Sequence, residues 1–187
     1  MRARSWALLW VACLAFASPG NSQDNQTQTR LNAPPTSDAA AAAFERLKGL
    51  AGRWESRSTI GWEAGEDFRV IAQGSAILVT SEFKDAPGEG MATVFFVDQG
   101  RLKLTHYCEA RNQPTLVATS ITSDSITFEF ESGTGMASRD TGHMDKVVMK
   151  FLDKDCFTEQ WSWYQKGQQR LFEEVEYRRA GTAPGKK

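Results

Sequence analysis

The sequence predicts an all-β fold, a closed antiparallel meander barrel of about 8–10 strands that follows one short helix. Three observations lead to this prediction. Apolar and polar residues mostly alternate from residue 53 onward, as they do in half-buried strands. Turn-forming residues interrupt this alternation at short intervals, and helical periodicity does not return between the strands. A meander this long tends to close because closure removes exposed sheet edges, although a two-sheet sandwich fits the same strand list.

Composition limits the classes of function. The chain has 187 residues, of which 41% are hydrophobic, enough for one packed domain. It carries 22 basic and 23 acidic residues, a formal net charge of -1. Proteins that bind nucleic acid without sequence preference need a basic excess to displace counterions, so we expect no nucleic-acid partner. Three cysteines are too few for a disulfide-dense scaffold.

The first 17 residues have the pattern of a cleaved signal peptide. Two arginines near the start precede the apolar run Trp6–Phe16, and Ala15 and Ala17 supply the small residues that a signal peptidase accepts. The run is shorter than the roughly 20 residues of a membrane span, so we expect a secreted or periplasmic protein with no membrane span after processing. A retained membrane anchor is the alternative. Residues 18–37 are predicted to be a disordered linker, residues 38–179 the helix and barrel, and residues 180–187 a disordered tail.

The predicted helix has Asp38 as its N-cap, because aspartate caps helix N-termini well. Apolar residues three apart, from Phe44 to Leu50, share one helix face. Gly49 and Gly52 provide the C-terminal stop.

Strands follow the helix to the end of the domain. The alternation predicts them near residues 53–63, 67–73, 75–83, 91–98, 101–110, 115–122, 125–131, 145–152, 157–165 and 168–178. Turns are predicted at 98–100, 111–114, 123–124, 153–155 and 166–167, where Gly, Asn, Asp and Pro cluster. Residues 132–143 form the longest irregular loop.

The junction of helix and first strand carries Gly52-Arg53-Trp54. This arrangement resembles the Gly-x-Trp entry of lipocalin-like barrels in the calycin group. The resemblance implies that Trp54 plugs one barrel end and that a basic residue of the last strand, Arg178 or Arg179, lies across its ring as a cation–π partner.

A second resemblance lies in the fifth predicted strand and the turn after it. Thr-His-Tyr-Cys at 105–108 and Asn-Gln-Pro at 112–114 are similar to a segment shared by bacterial, secreted, calycin-like proteins of unknown function. The likeness covers about residues 44–179 and implies the fold rather than a function. Nitrobindin-like barrels belong to the same structural group and bind haem through one histidine. The resemblance therefore implies an alternative in which His106 or His143 holds haem.

His106 is the main candidate for contact with a ligand. Alternation places Leu104, His106 and Cys108 on the apolar face of their strand, which should point into the barrel. An inward imidazole beside a thiol could contact a ligand, hold a metal or act as a base, or it could be a buried structural histidine. His143, in a glycine-rich loop, is expected to be solvated. Metal-ligand spacings such as Cys-x-x-Cys do not occur in the sequence.

Other strands contribute further candidates for the barrel lining. Phe128 and Phe130 are expected to face inward. Trp161 and Trp163 share a face with Glu159, but the alternation leaves open whether that face is internal. Glu173 shares a face with Leu171, Val175 and Tyr177, and an inward Glu173 could pair with His106.

We therefore expect a non-enzymatic barrel that binds a small apolar or amphipathic molecule in its lumen, with no obligatory cofactor. The haem-binding or redox barrel is one alternative, and a small enzyme with a His106/Glu173 acid–base pair is another. Cys108 and Cys156 fall at opposite barrel ends in a simple meander, so we expect two free thiols with Cys108 buried.

Overall fold

A computed structural model describes residues 34–88 and 90–181 of the chain. The predicted signal peptide, most of the predicted linker and residues 182–187 of the predicted tail lie outside the described residues. Helix α1 spans Ser37–Lys48. Ten strands follow it: β1 Gly52–Ser58, β2 Glu63–Ile71, β3 Ala76–Phe83, β4 Ala92–Asp98, β5 Arg101–Tyr107, β6 Gln113–Ile121, β7 Ser125–Thr134, β8 His143–Asp153, β9 Cys156–Gln165 and β10 Gln168–Arg179.

Each strand pairs antiparallel with its neighbour in sequence, and β1 pairs with β10. This last ladder closes the sheet into a barrel, which confirms the predicted meander and excludes the two-sheet sandwich. Two of the predicted turns are two-residue hairpin loops with left-handed backbones. Gln99 and Gly100 have φ values of 50° and 73°, and Lys166 and Gly167 have values of 50° and 78°. These conformations match the twist of the strands that they join.

The N-cap of helix α1 lies two residues earlier than predicted. Thr36, not Asp38, is the N-cap, and its hydroxyl accepts a hydrogen bond of 3.2 Å from the amide of Ala39. Asp38 lies in the first turn, where its charge complements the positive end of the helix dipole. The buried helix face, which includes Phe44 and Leu47, packs against β4, β5 and β6.

The main difference from the predicted strands is the turn at residues 59–62. The alternation predicted one strand through this segment, over residues 53–63. The chain instead turns there, with Gly61 at a φ of 105°. The next strand therefore begins at residue 63 rather than 67, and its inward face includes Ala64, Glu66 and Phe68.

One end of the barrel, where β1 begins and β10 ends, is plugged by Trp54 and is called the closed end below. The indole is 1% exposed and donates a hydrogen bond of 2.7 Å from Nε1 to the carbonyl oxygen of Leu50. Arg179 is the arginine that covers the ring, with its guanidinium carbon 4.4 Å from the ring centroid. Arg178 instead pairs with Glu176, so of the two predicted arginines Arg179 has the structural role at Trp54 and Arg178 does not.

Gly52 joins the helix to this plug. Its φ is 125°, a conformation that side chains other than glycine rarely adopt. The start of β1 therefore needs glycine on backbone grounds. Above Trp54, the rings of Phe68, Phe157 and Tyr177 fill the closed half of the barrel, with Phe157 and Tyr177 stacked at 4.4 Å.

Candidate functional site

The opposite end of the barrel, called the open end, carries a cavity of about 400 Å³, which we call the mouth cavity. Apolar side chains form most of its wall: Ile60, Trp62, Phe83, Ala86, Met91, Cys108, Ala110, Met144, Trp163 and Phe172. Its acidic lining residues are Glu63, Asp85, Glu109 and Glu173. Below it, the central lumen is nearly filled by side chains and keeps about 40 Å³ of space, enough for a few water molecules.

The lumen contains three buried glutamates, which lie on β2, β9 and β10. Glu66 is 2% exposed and accepts hydrogen bonds from the hydroxyls of Ser56 and Ser81, at 2.9 and 2.8 Å. Burial away from water raises the pKa of Glu66 from 4.5 to about 7, even though both hydrogen bonds favour the ionised form.

Glu159, the second buried glutamate, contacts two aromatic side chains, Trp161 and Tyr177. It is 6% exposed, and its Oε2 accepts hydrogen bonds of 2.9 Å from the indole of Trp161 and from the hydroxyl of Tyr177. Burial raises its pKa to about 7, and the negative charge of Glu173 adds to the shift. The donors that satisfy Glu66 and Glu159 are all neutral, so a proton on each carboxyl is favoured near neutral pH.

Glu173 lies where the lumen meets the mouth cavity, and it lines both spaces. Its Oε2 accepts hydrogen bonds from the hydroxyl of Ser58 and from the indole of Trp62, the latter at 2.8 Å. Burial raises its pKa as well. The predicted inward orientation of Glu173 agrees with this position, but its partners are Ser58 and Trp62 rather than His106.

His106 points into the lumen, as its strand alternation predicted. It is 5% exposed, its Nδ1 is 3.0 Å from the hydroxyl of Thr93, and its ring packs against Trp161 with centroids 5.0 Å apart. Burial lowers the pKa of His106 from 6.5 to about 4, so the imidazole is neutral at physiological pH. It can exchange hydrogen bonds with a guest but adds no positive charge to the lumen.

The other predicted lining residues divide into three groups. Trp161 lines the lumen, whereas Trp163 and Cys108 line the mouth cavity, which places the tryptophan face of β9 inside the barrel. Leu104 and Phe128 face inward as predicted, but they are fully buried in the core and line neither cavity.

Phe130, although predicted to line the lumen, instead takes part in a cluster around Arg139. The Arg139 guanidinium carbon lies 4.3 Å from the Phe130 ring centroid and 3.7 Å from that of Tyr164. The same arginine pairs with Asp145 and contacts Nε2 of His143. His143 was expected to be solvated, but it is fully buried as the first residue of β8, which begins two residues before the predicted start.

Leu171 does not share the inward face of Glu173 and is 63% exposed. A bulge between these two residues inserts Phe172, which shifts the alternation by one residue and turns Phe172 toward the mouth cavity. The thiols are free, as predicted, at opposite ends of the barrel, but Cys156 is the buried one and Cys108 is only half-buried.

Several residues of the site were not predicted. Glu66 was missed because the predicted strand began after it, although alternation read backward from Phe68 would have found it. Trp62 and Met91 fell within predicted strands but were not assigned to the lining, and the structure places them directly before β2 and β4. Phe172 was missed because the bulge in β10 shifts the alternation.

Among the described residues, no three His, Cys, Asp or Glu side chains are grouped so that they could hold a metal ion. Within residues 34–88 and 90–181, no helix is long and apolar enough to cross a membrane. No protein-family model matches the chain, and no curated protein matches it.

Proposed function

We propose that this chain is a secreted or periplasmic carrier that binds a small apolar or amphipathic molecule at the open end of its barrel. The observation that carries the proposal is the mouth cavity of about 400 Å³ with its mostly apolar wall. Small-molecule sites have volumes of about 300–1,000 Å³ and combine apolar walls with few polar groups. The compartment follows from the signal-peptide pattern of residues 1–17.

The filled lumen moves the proposed site from the barrel centre to its mouth. Trp161 and His106 pack against each other in the lumen, while Trp62, Met91, Met144 and Glu173 line both spaces and form the boundary between them. A ligand in the mouth would therefore meet apolar walls over most of its surface and one polar group at its inner end.

Haem has less support than such a ligand. The space beside His106 is about 40 Å³, far below that of a cofactor site, and the His106 ring is packed against Trp161. Both ring nitrogens of His143 have partners, Thr141 and Arg139. The acid–base enzyme also has less support, because His106 and Glu173 have separate partners.

Calorimetric titration with octan-1-ol, octanoate and octylamine tests the proposal. Burying about seven methylene groups at about 0.8 kcal/mol each gives an upper estimate of about 6 kcal/mol, or a Kd on the order of 0.1 mM. We expect at least one of the three probes to bind with one site per chain.

A blocking variant locates the site. Ala110 is exposed and lines the mouth, so Ala110→Trp should fill the cavity and abolish binding. Ala180→Trp, at an exposed residue of the closed end, is the matched control and should bind normally. Absence of binding by all three probes, or equal binding by the two variants, would contradict the proposal.

A further inference from the structure

We infer that the ligand of the mouth cavity is an organic cation, an amine with an apolar body whose ammonium group contacts Glu173. This inference rests on the proposed function, because it names the chemical class of the ligand that the same cavity takes. Three features of the cavity lead to it: the sign of its charges, the geometry of Glu173 and the aromatic wall.

The charged side chains that line the described cavity all have the same sign. Four are carboxylates, and no lysine or arginine is among the described lining residues. Glu63 is neutralised from outside by Arg57 and Lys84, at 2.7 and 2.8 Å. Asp85, Glu109 and Glu173 remain, so the field in the cavity favours a cationic guest and opposes an anionic one.

Glu173 offers a free acceptor at the inner end of the cavity. The residue is 4% exposed, and both of its hydrogen bonds, from Ser58 and Trp62, fall on Oε2. Among the described residues, Oε1 has no hydrogen-bond donor, so it is available to an N–H group of a guest. A buried carboxylate whose protein donors are all neutral gains most from a cation, because a charge-assisted hydrogen bond is the stronger kind.

Aromatic rings form part of the cavity wall that Glu173 also lines. Trp62 and Phe83 are packed edge to face with centroids 5.2 Å apart, and the centroids of Trp163 and Phe172 lie 6.1 Å apart. Ring faces attract ammonium groups through their quadrupole, and their apolar area suits the body of the same guest. An aromatic wall together with a carboxylate is a combination that favours amines over alcohols of equal length.

The deeper carboxyls act in the same direction. Glu66 and Glu159 lie below Glu173 in the lumen. Repulsion from Glu159 disfavours the ionised form of Glu66, which Arg53 partly offsets, and repulsion from Glu173 disfavours the ionised form of Glu159. A cation at Glu173 would lower the free energy of all three ionised carboxylates.

The three eight-carbon probes separate charge from chain length. At pH 8 octylamine is protonated, octanoate is ionised and octan-1-ol is neutral, while the apolar tail stays the same. For the wild-type protein we expect octylamine to bind at least about tenfold more tightly than octan-1-ol, and octanoate to bind most weakly. This comparison uses no variant, so it holds whether or not substitutions in the lumen fold.

Glu173→Gln then tests the proposed contact, because the amide keeps the size and acceptor of the side chain but removes the charge. We expect octylamine affinity to fall at least about tenfold and octan-1-ol affinity to change less than twofold. Glu174→Gln is the matched control: the adjacent residue is half-buried, bonded to Gln160 and outside the described cavity lining. It should leave both affinities unchanged.

The outcomes distinguish the inference from the function on which it rests. Equal binding of octylamine and octan-1-ol, or preference for octanoate, overturns the inference and leaves the carrier function standing. An amine preference that survives in Glu173→Gln overturns the assigned contact. Failure of every probe to bind overturns both.

Discussion

Replacing Glu159 by glutamine changes the electrostatics of the lumen at one well-defined position. The carboxyl is 6% exposed, it accepts hydrogen bonds from Trp161 and Tyr177, and burial raises its pKa from 4.5 to about 7. A glutamine carbonyl can accept the same two hydrogen bonds but does not ionise. The substitution therefore isolates the effect of the charge.

The sign of the effect follows from proton binding in the two states. Between pH 4.5 and about 7 the unfolded chain releases the Glu159 proton while the folded chain keeps it. Stability therefore falls as pH rises through this window, and the loss is complete above about pH 7. The shift from 4.5 to about 7 corresponds to about 3 kcal/mol at about 1.36 kcal/mol per pH unit.

We expect Glu159→Gln to be more stable than the wild type at pH 8, by up to about 3 kcal/mol. At pH 4.5 the two proteins should differ by less than about 1 kcal/mol, because an uncharged carboxyl and an amide make similar hydrogen bonds. Urea denaturation followed by tryptophan fluorescence at both pH values measures the difference. The charge of Glu159 also disfavours ionisation of Glu66, so its removal relieves Glu66 as well and adds to the gain in stability at pH 8.

Glu174→Gln is again the control, since its side chain lies outside the described linings of both cavities and should give a pH-independent difference near zero. A Glu159→Gln protein that is less stable than the wild type at pH 8 would refute the reasoning. So would a stability difference that is the same at both pH values, because the charge would then not be the cause.

Three further predictions concern the closed end, the thiols and the lumen histidine. Arg179→Ala should lower the free energy of unfolding by about 1–3 kcal/mol, because it removes the cation–π contact with Trp54 and several hydrogen bonds. Arg178→Ala should lower it by less than about 1 kcal/mol in the same urea titration. Equal losses in the two variants would be inconsistent with a stabilising contact between Arg179 and Trp54. Iodoacetamide should modify the half-buried Cys108 before the buried Cys156 under native conditions, and peptide mass spectrometry that finds the reverse order would contradict their placement. Because burial lowers the pKa of His106 to about 4, its contribution to stability is present above pH 6.5 and is lost as pH falls through about 4. His106→Gln should therefore reduce the loss of unfolding free energy on the acid side of the pH profile. An unchanged acid side would argue against a buried neutral imidazole.

The fold was predictable because its signals are local. Each hairpin of a meander joins strands adjacent in sequence, so alternation and turn residues such as Gln99-Gly100 carry most of the topology. The errors occur where tertiary contacts override local preference. Thr59 and Ile60 favour a strand but form a turn, and the extra residue Phe172 shifts the face of β10.

The candidate site was only partly predictable. Alternation placed His106 and Glu173 inside the barrel, but it could not show that Ser58, Trp62 and Thr93 satisfy them. Those partners lie on other strands and depend on the register between them. Whether the lumen is hollow or filled depends on how side chains from ten strands pack, which no single segment reveals.

The buried carboxyls also bear on what the lumen is for. Glu66 and Glu159 reduce stability at neutral pH, since burial disfavours their ionised forms, and apolar residues of similar volume at these positions would avoid that cost. Residues that oppose folding in this way concentrate at functional sites, where binding depends on them. A cation bound at Glu173 would lower the pKa of its acidic neighbours, so amine binding should release protons near pH 7. By linkage the affinity should then rise with pH between about 5 and 8, which ties the polar interior to the proposed ligand.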